Sequence, residues 1–285
     1  MESAPWKIFS HNEKEIRIDV DGGITIDGVT KNPFPTSISH AAICSEGLIA
    51  TWVDHDLRLA RMALISLDEP IKEGITKGEL RKRRNTEDVA GAIWCHTLDA
   101  EPLALTAQDD LIVFALWQRG IYAIKSDSTE IWRTGLPELG GKNPPRAEEI
   151  SSIHINQDIH VWIRCGDHLI MDRETGDEKN GFTFQLEADI EDVFHHEGLF
   201  LLSAKDGLAY CSDGEKITEI QQLRGTIQDA KFDGKSWRAI CWRDDVTIGQ
   251  VQPIQRKELG VQIIEQDGEW MVLDNQWDLT PHMTE

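Results

Sequence analysis

Short apolar runs alternate with turns rich in Gly, Asp and Glu along the whole chain. The run LIVFALW, for example, follows Asp109 and Asp110 and ends at Trp117. Gly, Asn and Asp tolerate positive φ and favour tight connections between antiparallel strands. The periodicity that marks an amphipathic helix is nearly absent. The pattern therefore predicts an all-β protein built from successive hairpins.

A unit of three strands joined by two polar turns recurs along the sequence. Six copies begin at Ala41, Leu103, Ile150, Ile190, Ile227 and Val261. The residues that open their central strands lie 63, 48, 40, 38 and 32 positions apart. Most of these intervals are close to the roughly 40–45 residues of a four-stranded propeller blade. The repeat therefore predicts a β-propeller.

The two ends of the chain complement each other in this pattern. The sixth copy ends without an outer strand, whereas strand-like runs at 6–9, 15–20 and 24–29 precede the first copy. Pairing of N- and C-terminal strands in one blade would remove exposed sheet edges. We therefore predict a single domain over 1–285 with six four-stranded blades, closed by its terminal strands. Seven blades are the alternative if the stretch 71–100 contains another.

Tryptophan is abundant, with ten residues against two tyrosines. Four of them fall late in the central strand of their copies: Trp52, Trp117, Trp162 and Trp242. A bulky ring at this place can fill the gap between neighbouring sheets that splay around an axis. The shared position predicts that these four side chains are wedges between blades.

Two copies resemble the quinoprotein, or pyrroloquinoline quinone-like, propeller repeat. Tyr122, Ala123, Ile124 and Trp132 match it in the second copy, and Asp172, Thr175 and Gly176 match it in the third. WD-repeat propellers are the neighbouring family. The resemblance implies the fold, while quinone-dependent chemistry is not expected because fold alone does not license function. We expect no cofactor.

Charge and targeting signals exclude several classes of protein. The formal net charge is −21, which repels nucleic acid from most of the surface. The apolar runs are too short to cross a bilayer, and no signal peptide is visible at the N-terminus. The five cysteines form no C-x-x-C pair and lie in or beside apolar runs. We expect a cytoplasmic protein that does not bind membranes, with buried, reduced cysteines.

No motif for nucleotide binding, for a serine nucleophile or for zinc is present. His154 and His195 fall at near-equivalent turns of adjacent copies, where they could line a rim that binds a metal or responds to pH. The acidic residues that recur at turns could form a ring for a cation or for acid–base catalysis. Asp at turns and His in polar loops have ordinary structural explanations, so we assign no catalytic and no metal-binding residue. The acidic turn residues are Glu46, Asp109, Asp110, Asp158, Glu197, Asp233 and Asp267.

The most distinctive segment is an insertion over 71–88, IKEGITKGELRKRRNTED. It holds a basic cluster in an acidic chain, and residues 79–84 are predicted to form a short helix. A long loop in a compact domain is often functional. We predict that these side chains bind a protein partner; the alternative is a solvated loop that offsets nearby acidic charge. The predicted partner-binding residues are Lys77, Arg81, Lys82, Arg83 and Arg84.

Rigid propellers present many loops from one frame, which suits protein recognition. We therefore predict a non-catalytic intracellular scaffold for protein–protein interaction, with an unidentified protein partner. One alternative is a hydrolase or lyase that uses carboxylate and His side chains at the mouth of a central channel. Another is contact with nucleic acid through the basic residues 77–84.

Overall fold

The computed structural model describes residues 3–83, 89–136, 150–250 and 252–283. Two compact units account for the chain. The first consists of residues 1–138, 157–159 and 171–177, and the second of residues 139–156, 160–170 and 178–285. The prediction of a single domain over 1–285 is not tested by this division and stays a prediction.

The first unit contains three four-stranded sheets, in each of which strands adjacent in sequence are hydrogen-bonded neighbours. Their strands are β1 (Pro5–His11), β2 (Lys14–Asp19), β3 (Ile24–Ile26) and β4 (Val29–Lys31); β5 (Ile38–Cys44), β6 (Gly47–Asp54), β7 (Leu59–Ser66) and β8 (Ala92–Leu98); and β9 (Pro102–Gln108), β10 (Leu111–Leu116), β11 (Gly120–Lys125) and β12 (Glu130–Thr134). The first strands of the second and third sheets, β5 and β9, pack side by side.

The second unit contains three four-stranded sheets and one three-stranded sheet. A few residues of the first of these sheets, 157–159 and 171–177, belong to the first unit. The strands of the four sheets are β13 (Ile150–Ile155), β14 (Ile159–Ile163), β15 (Asp167–Met171) and β16 (Glu178–Thr183); β17 (Ile190–His196), β18 (Leu199–Ala204), β19 (Leu208–Ser212) and β20 (Ile217–Gln222); β21 (Ile227–Phe232), β22 (Trp237–Cys241), β23 (Asp244–Thr247) and β24 (Ile254–Gln255); and β25 (Gly260–Gln266), β26 (Glu269–Asp274) and β27 (Leu279–Pro281).

Seven sheets replace the six predicted blades, so the alternative count is the right one. The six repeat copies correspond to the second through seventh sheets. The N-terminal strands β1–β4 form a separate sheet, and the last sheet holds only β25, β26 and β27. The predicted closure, a blade shared by the two ends, is therefore wrong. The described residues of the stretch 71–100 form one helix and β8, which belongs to the second sheet.

The exposed edge of the three-stranded sheet is held by a buried ion pair. The guanidinium of Arg256 donates from Nε to Asp245 Oδ1 at 2.5 Å, from Nη1 to the Thr280 hydroxyl at 2.6 Å and from Nη2 to the Pro281 carbonyl at 2.7 Å. Asp245 also accepts the backbone N–H of Met283 at 2.7 Å. Proline lacks a donor for a further strand. This contact anchors β27 to the preceding sheet of the same unit.

The four tryptophans predicted as wedges divide into two pairs. Trp52 and Trp162 are 1% and 0% exposed and lie within the core. Trp117 and Trp242 are 46% and 63% exposed. Each of the latter is the first residue after the second strand of its sheet, and so belongs to the turn. The wedge prediction is therefore confirmed for burial at two positions and wrong at the other two.

The burial of the cysteines agrees only in part with the expectation from the sequence. Cys44, Cys211 and Cys241 are buried, Cys95 is half-buried and Cys165 is exposed. Burial raises the pKa of the Cys211 thiol to about 12, which keeps it protonated and unreactive. The expectation of burial is wrong for Cys165, which lies in the turn after β14.

Candidate functional site

A hydrogen bond to a buried carboxylate holds the turn between β6 and β7. Asp54 is 1% exposed, and its Oδ1 accepts the backbone N–H of Leu57 at 2.9 Å. Arg58 closes the turn with a φ of 51°, in the left-handed region. These constraints hold the side chains of His55 and Arg58 on the outside of the turn, where both are exposed.

The corresponding turn of the next sheet, between β10 and β11, carries Trp117, Gln118 and Arg119. The backbone N–H of Trp117 donates to the Glu101 carbonyl at 2.8 Å, and that of Arg119 donates to the Leu116 carbonyl at 3.0 Å. Gln118 has a φ of 53°. The three turn side chains are exposed, on a backbone that these two hydrogen bonds hold in place.

A groove of about 490 Å³ lies between these two turns and the β8–β9 connection, all within the first unit. Ala60, Leu98 and Ala100 contribute apolar surface to its lining. The polar part of the lining consists of His55, Arg58, Asp99, Glu101, Trp117, Gln118 and Arg119. Its volume is within the range of known binding sites for small ligands or single side chains.

The charges of the groove have no ion-pair partners in the described parts of the chain. Arg58 and Arg119 are exposed guanidiniums without a salt bridge there. Asp99 and Glu101 are exposed carboxylates, also without a salt bridge among the described residues. Tryptophan and arginine are both enriched at protein interfaces and among the residues that dominate binding energy there.

The predicted basic segment is a docked helix rather than a free loop. Helix α1 spans Lys77–Arg83 and begins with a capping box: the Thr76 hydroxyl accepts the Glu79 N–H at 3.2 Å, and the Glu79 carboxylate accepts the Thr76 N–H at 2.9 Å. Leu80, 1% exposed, belongs to the hydrophobic core of the first two sheets. The predicted short helix is thus confirmed, with an earlier start.

The predicted partner-binding residues differ in their exposure and in their contacts. Lys77, Arg81 and Lys82 are exposed, and Arg81 forms an ion pair with Asp56 in the β6–β7 turn. Arg83 ends the helix, and Arg84 lies outside the described residues. The structure therefore brings the basic segment to the turn that also supplies His55 and Arg58 to the groove. Whether these residues bind a partner stays a prediction.

The second unit carries a comparable exposed tryptophan. Trp242 has a φ of 56°, which is rare for a bulky side chain and signals a backbone held by its surroundings. Its carbonyl accepts the Gly260 N–H at 3.2 Å, and its N–H donates to the side chain of Gln228. Leu259, the residue before Gly260, is 40% exposed. The turn after the second strand thus presents tryptophan in two of the seven sheets.

Four histidines cluster between the sheets β13–β16 and β17–β20. The ring centroids of His154 and His195 are 5.3 Å apart, and His160 lies 5.2 Å from His168 and 6.0 Å from His195. Phe200 contacts all four rings, and the His168 ring stacks on Trp162 at 4.1 Å. The predicted proximity of His154 and His195 is confirmed, but both residues lie in strands, β13 and β17, rather than in turns.

The hydrogen bonds of this cluster define neutral tautomers. A carbonyl can only accept, so His168 Nδ1 donates to the Gly214 oxygen at 2.9 Å; in the neutral ring, Nε2 then accepts from His160 Nδ1 at 3.1 Å. Likewise, His195 Nε2 accepts the Gly198 N–H at 3.1 Å. Burial, and then the neighbouring His195, lower the pKa of His154 to about 3. Burial also lowers the pKa of His168 and of His195 to about 4.

The cluster therefore resembles an aromatic core more than a reactive centre. Within the described ranges, no group of three or more His, Cys, Asp and Glu side chains is placed to hold a metal ion. Four of the recurring acidic residues shape their own turns: Asp109, Glu197 and Asp267 have positive φ, and Asp233 accepts the N–H groups of Lys235 and Ser236 at 3.0 and 2.9 Å. In the part of the chain that the structure describes, no helix is long and apolar enough to cross a bilayer.

Sequence reasoning missed Arg58 and Arg119 as candidate site residues. Each is a lone arginine in an ordinary turn, and only the fold brings the two turns to one groove. A signal was available in the repeat alignment, because Trp117 and Trp242 could have been placed in the turn rather than in the strand. A tryptophan in a turn has no core to enter and is therefore a candidate for contact with a partner.

Comparison with protein-family models and with curated proteins gives no match. Among solved structures, the chain is similar to the β-propeller domain of Cps50 (Swd1) from Myceliophteria thermophila, with a TM-score of 0.67, 12% identity and coverage of 97% of this chain and 95% of that one. It is also similar to the WD40 propeller of Doa1, with a TM-score of 0.63, 10% identity and coverage of 97% and 91%. BamB from Moraxella catarrhalis gives a TM-score of 0.60, 9% identity and coverage of 95% and 92%.

These likenesses establish the fold as an all-β propeller, here with seven sheets as blades. They include both WD40-like and quinoprotein-like propellers, so the resemblance noted in the sequence is supported at the level of fold. The repeat type of this chain stays a prediction.

Proposed function

We propose that this chain is a protein-interaction scaffold and that the turns after the second strands of its blades contact a partner. The observation that carries this proposal is Trp117, an indole 46% exposed in a groove that also holds two arginines without an ion pair among the described residues. Exposing a large aromatic ring to water is unfavourable, and Trp and Arg are the side chains that most often dominate binding energy at interfaces.

The fold supports the same proposal. A propeller holds its turns on a rigid frame, so side chains from different blades can form one preorganised surface. The hydrogen bonds that the Asp54 carboxylate and the Glu101 carbonyl accept hold the two turns before any partner binds. Preorganisation lowers the entropic cost of association.

The basic helix α1 extends this proposed surface. Its Arg81 touches Asp56 of the β6–β7 turn, and Lys77 and Lys82 are exposed on the same short helix. Helix α1 and the groove are therefore neighbours, and we propose that one partner contacts both the groove and the basic residues of this helix.

A photo-cross-linking amino acid placed at Gln118, in the groove turn, tests the proposal in the native cell. The matched control places it at Ile131, which is 37% exposed on the outer strand β12. We expect one protein to be cross-linked from position 118 and lost in the Trp117→Ala background. Equal cross-linking from both positions, or recovery that is unchanged by Trp117→Ala, would contradict the proposed surface.

A further inference from the structure

Some charged side chains around the groove form ion pairs, and others have none among the described residues. Asp56 in the β6–β7 turn is already paired with Arg81 of the basic helix. Arg58, two residues later in the same turn, has no ion pair in the described ranges, and the same holds for Arg119 across the groove. The two guanidiniums are thus available to an incoming acceptor. Arg is well suited to bind carboxylates because its planar fork donates two parallel hydrogen bonds.

The carboxylates of the groove limit which anion fits. Asp99 and Glu101 line the same groove, so its formal charge is balanced before a ligand binds. A phosphate group brings nearly two negative charges to one point and would be repelled by these carboxylates. Single carboxylates spaced along a peptide can approach each arginine separately. The lining therefore favours an acidic protein segment over a polyphosphate or a nucleic acid.

The indole adds a requirement for apolar surface in the same ligand. Trp117 is in the turn that carries Arg119, separated from it only by Gln118. An apolar or aromatic side chain that covers this indole removes both surfaces from water, and aromatic pairs add about 0.5–1.5 kcal/mol beyond area burial. The ligand thus needs an apolar side chain close to its carboxylates.

The strong negative charge of the whole chain restricts the size of such a partner. A large acidic surface would be repelled by the net charge of −21. At physiological ionic strength the Debye length is about 8 Å, so a short segment mainly experiences the nearest charges. These are the guanidiniums of Arg58 and Arg119, the carboxylates of Asp99 and Glu101, and the exposed cations of helix α1.

Resting on the proposed function, we infer that the groove between Arg58 and Arg119 binds a short acidic linear segment of a partner protein, with an apolar side chain on Trp117 and flanking carboxylates on the arginines. The bound segment extends beyond the groove toward Lys77 and Lys82 of α1. The juxtaposition that carries this inference is one groove, formed by turns of adjacent sheets, whose lining includes an exposed indole and two guanidiniums without an ion pair among the described residues.

Fluorescence anisotropy with labelled peptides tests the ligand class on the full chain. The probe is a short peptide with glutamates on both sides of a central phenylalanine; the comparison peptides have glutamine or lysine in place of glutamate. We expect the glutamate peptide to bind more tightly than the other two. The double variant Arg58→Glu/Arg119→Glu should weaken its binding at least about tenfold, a loss of about 1.4 kcal/mol. The matched control Arg133→Glu, on the outer strand β12, should leave it unchanged.

Each other outcome has a defined meaning. Tighter binding of the lysine peptide, or equal binding of all three peptides, overturns the acidic-segment inference. Tighter binding of a single-stranded oligonucleotide than of the glutamate peptide, with a steep salt dependence, also overturns it and favours nucleic-acid contact. If cross-linking at Gln118 succeeds while no glutamate peptide binds, the scaffold function stands and only the ligand class is wrong. If cross-linking also fails, the proposed function itself is wrong.

Discussion

The indole ring of Trp132 lies directly against Gly176. A Cβ atom at position 176 would come within 2.5 Å of this ring, and the Trp132 Nε1 donates a hydrogen bond to the Arg173 carbonyl at 3.0 Å. Asp172 shapes the turn by accepting the N–H groups of Glu174 and Thr175 at 2.8 and 2.9 Å. The outer strand of one copy is thereby joined to the turn of the next copy along the chain.

Replacing Gly176 with Ala is expected to destabilise the protein by about 1–3 kcal/mol, because the new methyl group overlaps the indole and φ is +74°. The matched control is Gly198→Ala, where φ is +85° but no atom lies within 4 Å of the new Cβ. Urea denaturation of both variants separates steric overlap from backbone strain. Equal losses of unfolding free energy would show that contact with Trp132 is unimportant.

This contact explains which part of the fold could be predicted from the sequence. The residues that resemble the quinoprotein repeat form two incomplete halves, Trp132 in one copy and Thr175-Gly176 in the next, and in the structure these halves are in contact. Repeat spacing and turn chemistry likewise predicted six of the seven sheets. The strand-like runs at 6–9, 15–20 and 24–29 correspond to the first sheet, but the sequence pattern assigned them to a blade shared with the C-terminus, because β3 and β4 have only three residues each and show no repeat.

The candidate site was less accessible to prediction because it depends on nonlocal geometry. The basic residues from Lys77 to Arg84 stand out in the sequence as a contiguous cluster. Arg58 and Arg119 are 61 positions apart and become neighbours of one groove only when two hairpins pack in adjacent sheets. Strand periodicity also assigned Trp117 to a strand, although the turn begins one residue after Leu116.

The histidine cluster predicts a loss of stability in acid. The pKa values of His154, His168 and His195 are lowered in the folded state to about 3, 4 and 4, so the unfolded chain, with a value near 6.5, binds more protons as the pH falls. Their contribution is complete above about pH 6.5 and is lost as the pH falls toward 4, by roughly 2 kcal/mol per shifted histidine at pH 5.

Unfolding free energies measured between pH 7.5 and 4.5 test this prediction. His154→Phe, which keeps an aromatic ring in the cluster, should flatten the pH dependence. His96→Asn, at an exposed position on β8, is the control and should not. An unchanged slope in His154→Phe would refute the assignment of the acid sensitivity to this cluster.

The buried pair at the edge of the last sheet predicts a strong asymmetry between single and double replacement. Arg256→Met leaves the carboxylate of Asp245 buried without its cation and should cost about 3–5 kcal/mol. Adding Asp245→Leu removes the unpaired charge and should restore part of that loss, although the Met283 N–H then loses its acceptor. A double-mutant cycle in urea measures the coupling. Strictly additive losses would argue against an energetic link between the two side chains.

Helix α1 should depend on its cap and on its buried anchor. Thr76→Ala removes the hydroxyl that accepts the Glu79 N–H and should cost about 0.5–2 kcal/mol. Leu80→Ala opens a cavity in the core of the first two sheets and should cost about 2–5 kcal/mol. Lys82→Ala, at an exposed position of the same helix, is the control. If Leu80→Ala unfolds no more easily than Lys82→Ala, the insertion is not docked in solution.

The two kinds of tryptophan predict opposite consequences of the same substitution. Trp52→Ala removes a side chain that is 1% exposed and should destabilise the protein by about 3–5 kcal/mol. Trp117→Ala removes an exposed ring from a turn whose hydrogen bonds are made by the backbone, so the unfolding free energy should change by about 0.5 kcal/mol or less. Partner binding should show the reverse dependence, with Trp117→Ala losing cross-linking at Gln118 while remaining folded. A large loss of stability in Trp117→Ala would mean that the indole supports the fold, and the case for a contact surface in this groove would fail with it.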